Sequence, residues 1–246
     1  SGRDLKAGEF NFQVKDKNGV VATGSNDATG KISFSKISYK LSDLKKADGT
    51  YESEKTYEYT VNEVIPEGAT AENNYTVNGV TYDNKTVNVK VTVTYNKETG
   101  ELKAKLAEDS EAIAFQNSYE TKTSIGLEGT KSLEGRTLKD GEFTFEVKDK
   151  AGKVVATGSN KSDGSISFNN KLNYTLSDLE KADGSYESEK TYEYTVNEVI
   201  PEGATAENNY TVNGVTYDNS IFTVKVIVSY DQATGIMSAA FAEDSQ

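Results

Sequence analysis

"TYEYTVNEV", residues 56–64, alternates as a β-strand does and then breaks its own pattern. Successive side chains of a strand point to opposite faces. Tyr57, Tyr59 and Val61 therefore share one face, Glu58, Thr60 and Asn62 share the other, and Glu63 continues the apolar row. A carboxylate in that row needs a partner, because an unpaired buried charge costs several kcal/mol.

The same stretch recurs at residues 191–199, inside a longer identity. Residues 51–84 and 186–219 both read "YESEKTYEYTVNEVIPEGATAENNYTVNGVTYDN". Flanking segments match almost as well, "LKAGEFNFQVKDKNG" against "LKDGEFTFEVKDKAG", with an offset of 133 to 135 positions. Fixed-period self-similarity is the mark of a modular array. The repeat defines two domains, residues 1–120 and 124–246, and places Glu198 where the first copy has Glu63.

Within each copy, short alternating runs are separated by turn signals. Phe10, Phe12 and Val14 alternate with polar residues, "KDKNG" turns, and Val20, Val21, Ile32 and Phe34 follow. After Glu63 come "IPEG", "YTVNGVTY", the strongly alternating "VNVKVTVTY", the "NKETG" turn and a closing strand through Leu102 and Leu106. About seven such strands with no sustained 3.6-residue pattern predict an all-β chain of two tandem immunoglobulin-like β-sandwich domains. "LSDLKKADG" (41–49) reads as one helical turn capped by Ser42. The join "SYETKTSIG" (118–126) lacks the composition of a flexible Gly/Ser linker, which predicts an elongated rod.

Composition narrows the chemistry. The 246 residues include no Cys, His or Trp, which removes disulfides, thiolate and imidazole nucleophiles and the common zinc ligands. A net charge of −12 argues against nucleic acid and anionic membrane as partners. No run reaches the roughly 18 apolar residues of a membrane span, and the chain opens without a signal peptide, as an interior segment would. "SNDATG" and "SNKSDG" contain calcium-type oxygens without EF-hand spacing and read as plain loops. The tyrosines at strand period read as core or rim packing rather than a carbohydrate platform. No metal or cofactor is expected.

The alternation test picks out two further residues near the join. In "AIAFQNSY", Ile113, Phe115, Asn117 and Tyr119 share a face; in "SIGLEGTKSL", Ile125, Leu127, Lys131 and Leu133 do. Asn117 and Lys131 thus point inward, as Glu63 does. Taken singly, Asn117 reads as a turn or cap, Lys131 as a snorkelling side chain and Glu63 as a satisfied carboxylate. Taken together they have a specific chemistry. Burial favours a neutral, nucleophilic amine and a protonated glutamate. The glutamate can polarise the asparagine carbonyl and relay protons. Attack on the carboxamide carbon then expels ammonia and leaves a Lys–Asn isopeptide bond.

A first-strand lysine in "GTKSLEGRTLKDGEFTFEV", a core glutamate in "YEYTVNEVIPEG" and a last-strand asparagine in "AFQNSYE" resemble the streptococcal pilin isopeptide-linkage domain, related to the collagen-adhesin B-type modules of Gram-positive surface proteins. The resemblance covers nearly all of both repeats. It implies that lysine is the nucleophile, asparagine the acceptor and glutamate the catalytic acid/base. Those roles fall on Lys131 and Glu198 in the second copy and on Glu63 and Asn117 in the first. Lys131 aligns upstream of residue 1, and Asn117 aligns six positions beyond Gln246, so each copy lacks one member. The chain reads as out of phase with its array, with the missing strands removed or supplied by another copy. A bond between Lys131 and Asn117 across the join is disfavoured, since it would strip an edge strand from each sandwich.

The function expected is structural: a stalk or shaft repeat of a Gram-positive surface adhesin or pilus-like protein, extracellular and wall-attached through parts outside this segment, with neighbouring repeats as partners. A tie between first and last strands closes a loop of about 120 residues and stabilises by on the order of 4–5 kcal/mol by chain-entropy reasoning. Such a tie also resists reduction, which suits a cysteine-free extracellular chain. The alternative is an adhesive module engaging a host protein or glycan. An enzyme acting on external substrates ranks third, because a paired-carboxylate glycosidase needs two acids at one cleft and each copy offers one.

Overall fold

The computed structural model describes residues 2–246, which form two compact units, Arg3–Tyr119 and Glu120–Gln246. Both are all-β, with only single 3-10 turns besides strands. The first contains β1 (Asn11–Asp16), β2 (Gly19–Asn26), β3 (Ile32–Phe34), β4 (Glu54–Glu63), β5 (Thr76–Val77), β6 (Val80–Thr81), β7 (Thr86–Tyr95), β8 (Leu102–Leu106) and β9 (Ser118–Tyr119). The second contains β10 (Lys122–Ile125), β11 (Thr144–Asp149), β12 (Val154–Asn160), β13 (Ile166–Phe168), β14 (Leu172–Thr175), β15 (Glu189–Glu198), β16 (Thr211–Val212), β17 (Val215–Thr216), β18 (Ile221–Asp231) and β19 (Ile236–Phe241).

Each unit is built on one six-stranded antiparallel sheet, β3-β2-β1-β4-β7-β8 and its counterpart β13-β12-β11-β15-β18-β19. The long central strands β4 and β7 carry the alternation read from the sequence. Tyr59 and Val61 are buried on the inner face with Val14, Ala22, Val87 and Val89, while the intervening residues are more open. Small ribbons and extended segments form the facing layer, giving two tandem β-sandwich modules.

The 111–117 segment, expected to be a regular strand, departs from that. Only Ser118–Tyr119 joins a ladder, to β6. The preceding residues still alternate, with Ile113 and Phe115 packed over the core and Phe115 against Phe12 at 5.0 Å between ring centroids. Side chains rather than a backbone ladder hold this segment: Gln116 N donates to Asp83 Oδ2 at 2.9 Å. The 127–131 stretch is likewise not a continuous strand; β10 pairs with β14, and Thr130 makes a single bridge to Ser165. Residues 37–40, the counterpart of β14, form no strand, because no segment among the described residues pairs with them as β10 pairs with β14.

Two further expectations are corrected. The turn at Leu41–Leu44 is 3-10 and is capped at Lys40, not Ser42: Asp43 Oδ2 accepts the Lys40 N–H at 2.7 Å. The "SNDATG" and "SNKSDG" stretches are more than plain loops, since the second residue of each is a buried asparagine that ends a strand. Asn160 Oδ1 accepts Phe143 N at 2.8 Å, and its Nδ2 donates to Lys139 O at 2.9 Å and Lys161 O at 3.1 Å; Asn26 makes the same set with Phe10, Lys6 and Asp27. These bonds pin the segment entering β11 to the end of β12. Asn160→Ala strands those backbone groups in the interior and should lower stability by on the order of 2–3 kcal/mol in a denaturant titration, with Asn26→Ala similar.

Candidate functional site

Glu63 is the last residue of β4, directly opposite Phe12 of β1, and Glu198 sits opposite Phe145 in the same register. Register with β1 and with β11 keeps the two carboxylates inside their sandwiches, each 5% exposed.

In the first module Asn117 reaches this carboxylate. Its Nδ2 donates to Glu63 Oε1 at 2.7 Å, and its Oδ1 accepts the Asp83 N–H at 2.9 Å. The same N–H also leans towards Glu63 Oε2, 3.3 Å away. A backbone N–H can only donate, so it fixes which end of the carboxamide is oxygen. Glu63 is thus in contact with the carboxamide nitrogen. Burial pushes Glu63 up to about 7, against the opposing pull of the Asn117 and Asp83 hydrogen bonds.

In the second module the partner is Lys131. Its Nζ donates to Glu198 Oε2 at 2.7 Å and lies 4.5 Å from the ring centroid of Phe143, itself almost wholly buried. The lysine backbone is docked by Lys131 N to Gly164 O at 2.7 Å, while Ile166 N donates to Gly129 O at 2.9 Å. Gly164 needs to be glycine there: its φ is +88°, and a Cβ would stand 2.8 Å from Lys131 O.

The trio is thus divided, with glutamate and asparagine in one module and lysine and glutamate in the other. The gap in the second module has a defined shape. Where Ile113, Phe115 and Asn117 lie in the first, the second has a cavity of about 380 Å³ lined by Phe145, Ile166, Phe168, Phe222, Lys131 and Glu198. Phe222 is 46% exposed, whereas its counterpart Val87 is 3% exposed. Glu198 Oε1, counterpart of the oxygen that takes the Asn117 amide, is buried with no hydrogen-bond partner among the described residues. Asp83 and Asp218 escaped the sequence reading. Their contribution comes from a backbone amide, which leaves no trace in side-chain alternation; the one available signal was the identical "TYDN" of both copies. Among the described residues there is no group of three or more acidic residues placed to hold a metal, and no helix long and apolar enough to cross a membrane.

A tandem pair of β-sandwiches, each with a glutamate buried at the end of its central strand, defines a class of repeated all-β modules with a polar centre in the core. The family model described as "Spy0128-like isopeptide containing domain" matches residues 1–120 and again 127–246. The chain belongs to this family, FctA, the pilin isopeptide domain family, in tandem. Among solved structures it is similar to the Bacillus anthracis TIE protein at 18% identity and a TM-score of 0.23, over 91% of this chain and 29% of that one. No curated protein matches.

The raised Glu63 value has a sign that can be checked. Because the folded state favours the protonated acid, its contribution is full below about 4.5 and is lost as pH rises through about 7. The stability of the parent relative to Glu63→Gln should fall over that window and level off above it. An NMR titration of the Glu63 carboxyl should give a midpoint near 7, moved higher by Asn117→Leu, which removes a donor to the ionised form but keeps the site apolar.

Proposed function

We propose that the chain is a shaft segment of a Gram-positive surface adhesin or pilus-like protein, attached to the cell wall through parts outside it. Its modules are closed by autocatalytic Lys–Asn isopeptide bonds, with Glu63 and Glu198 as acid/base. The observation that carries this reading is the equivalence of the two half-sites. Asn117 and Lys131 approach glutamates at the same place in the same fold, each on the oxygen the other leaves open.

On this reading the two half-sites combine in one reaction. Lys131 hands a proton to Glu198 and becomes a neutral amine. Its Nζ forms a bond to an asparagine Cγ, the glutamate returns the proton to the carboxamide nitrogen, the C–N bond breaks and ammonia leaves. The second Nζ proton passes to the glutamate. Each site turns over once, which is assembly of a structure rather than enzymatic catalysis. The product joins first strand to last, so tension entering at the ends of a module runs through a covalent bridge and bypasses the sheet hydrogen bonds. The cavity of the second module would accept an asparagine-bearing segment like residues 112–120, which another copy of the chain can supply.

The test supplies that segment as a synthetic peptide, AIAFQNSYE, to the 246-residue chain. Intact mass should show one adduct, equal to chain plus peptide minus one ammonia. Lys131→Arg should give none, and Glu198→Gln should slow its formation by about 100-fold or more. No adduct with the parent, or equal rates in Glu198→Gln, would sink the proposal.

A further inference from the structure

Resting on that reading, we infer that Asp83 and Asp218 complete the bond-forming site: the main-chain N–H stabilises the developing oxyanion, and the carboxylate sets the register of the asparagine strand. The first role follows from the grip on Asn117. The Asp83 N–H lies 2.9 Å from Oδ1, while Glu63 holds Nδ2 at 2.7 Å on the other side. When an amine adds to Cγ, the carbonyl π pair moves onto Oδ1. The resulting charge then faces a fixed donor in a site that excludes water, where such donors are most effective. Glu63 meanwhile accepts a hydrogen bond from the nitrogen that must leave as ammonia. Electrophile activation and leaving-group protonation therefore belong to different groups.

The second role follows from the other end of the same residue. Asp83 Oδ2 accepts the N–H of Gln116, the neighbour of the acceptor asparagine, at 2.9 Å. Lys85 holds the carboxylate in place through an ion pair of 2.9 Å and through its own N–H to Oδ1 at 3.2 Å. A strand slipped by one residue would turn Asn117 outward; the Asp83–Gln116 bond opposes that slip at the adjacent residue. In the second module Asp218 stands on the wall of the cavity, with Ser220 N on its Oδ1 at 2.9 Å and its own N–H 3.4 Å from Glu198 Oε2. It presents the same N–H and carboxylate to an incoming strand.

The two roles separate in the rate of adduct formation between the chain and the AIAFQNSYE peptide, measured against peptide concentration. Replacing the Tyr217–Asp218 amide by an ester removes the N–H and keeps the carboxylate. The saturating rate should fall about 100-fold, with the half-saturating concentration changed less than about threefold. Asp218→Ala keeps the N–H and removes the anchor, so the half-saturating concentration should rise about tenfold or more while the saturating rate holds within a few-fold. Asp218→Asn, whose amide oxygen accepts the same N–H, should restore much of the affinity. Asp218→Pro, read against Asp218→Ala, deletes the N–H by a second route, and competition by a peptide with alanine for its asparagine reports whether the cavity is folded in each variant. An ester or proline variant that folds and matches its reference in saturating rate overturns the donor. An unchanged half-saturation in Asp218→Ala overturns the anchor. Failure of the parent to form any adduct overturns the isopeptide reading, and both roles with it.

Discussion

A carboxylate placed at the end of an apolar strand row is the constraint around which each module is arranged. Glu63 and Glu198 sit across from Phe12 and Phe145, inside a sheet that offers them little water. Burying such a group costs least when its oxygens find partners, and each module brings a different partner to the glutamate, the second leaving Glu198 Oε1 without one among the described residues. The first brings Asn117 in on an extended segment. The second brings Lys131 in on an extended segment docked against Gly164. The corner at Asp83 and Asp218 supplies an amide in both.

Because residues 51–84 and 186–219 are identical, the two modules act as each other's control. The same strand with the same glutamate is seen once covered by Ile113, Phe115 and Asn117 and once bordering an open cavity. Where the cover is present, Val61 is fully buried; its counterpart Val196 lines the opening. The covering segment thus completes the hydrophobic core as well as the polar site, and burial and chemistry depend on one stretch of chain.

Much of this was legible from side-chain periodicity. Strands β4 and β7 declare themselves by alternation, and the inward phase of Glu63, Asn117, Lys131 and Glu198 follows from counting residues by twos. Backbone partnership is what periodicity cannot show. Residues 111–117 alternate as a strand would, yet they are held by the Asp83 carboxylate and by ring packing rather than by a ladder. Asp83 itself looks like an ordinary turn residue, and its amide matters only once Asn117 is beside it. Asn26 and Asn160 sit in polar stretches whose composition suggests loops, and only the folded chain shows their amides facing inward. The family resemblance carried by "YEYTVNEVIPEG" and "AFQNSYE" agrees with the domain family to which the chain belongs.

The carboxamide of Asn117 is held from both sides, its oxygen by the Asp83 amide and its nitrogen by Glu63, and its neighbour Gln116 is held by the same aspartate. On the proposed chemistry, this makes ammonia release a form of inspection. A chain threaded one residue out of step presents no acceptor and is left unsealed, free to come apart and try again. A chain in step is sealed irreversibly. Each lost ammonia would then be a permanent record, written into the mass of the molecule, that one module had passed through its correct fold.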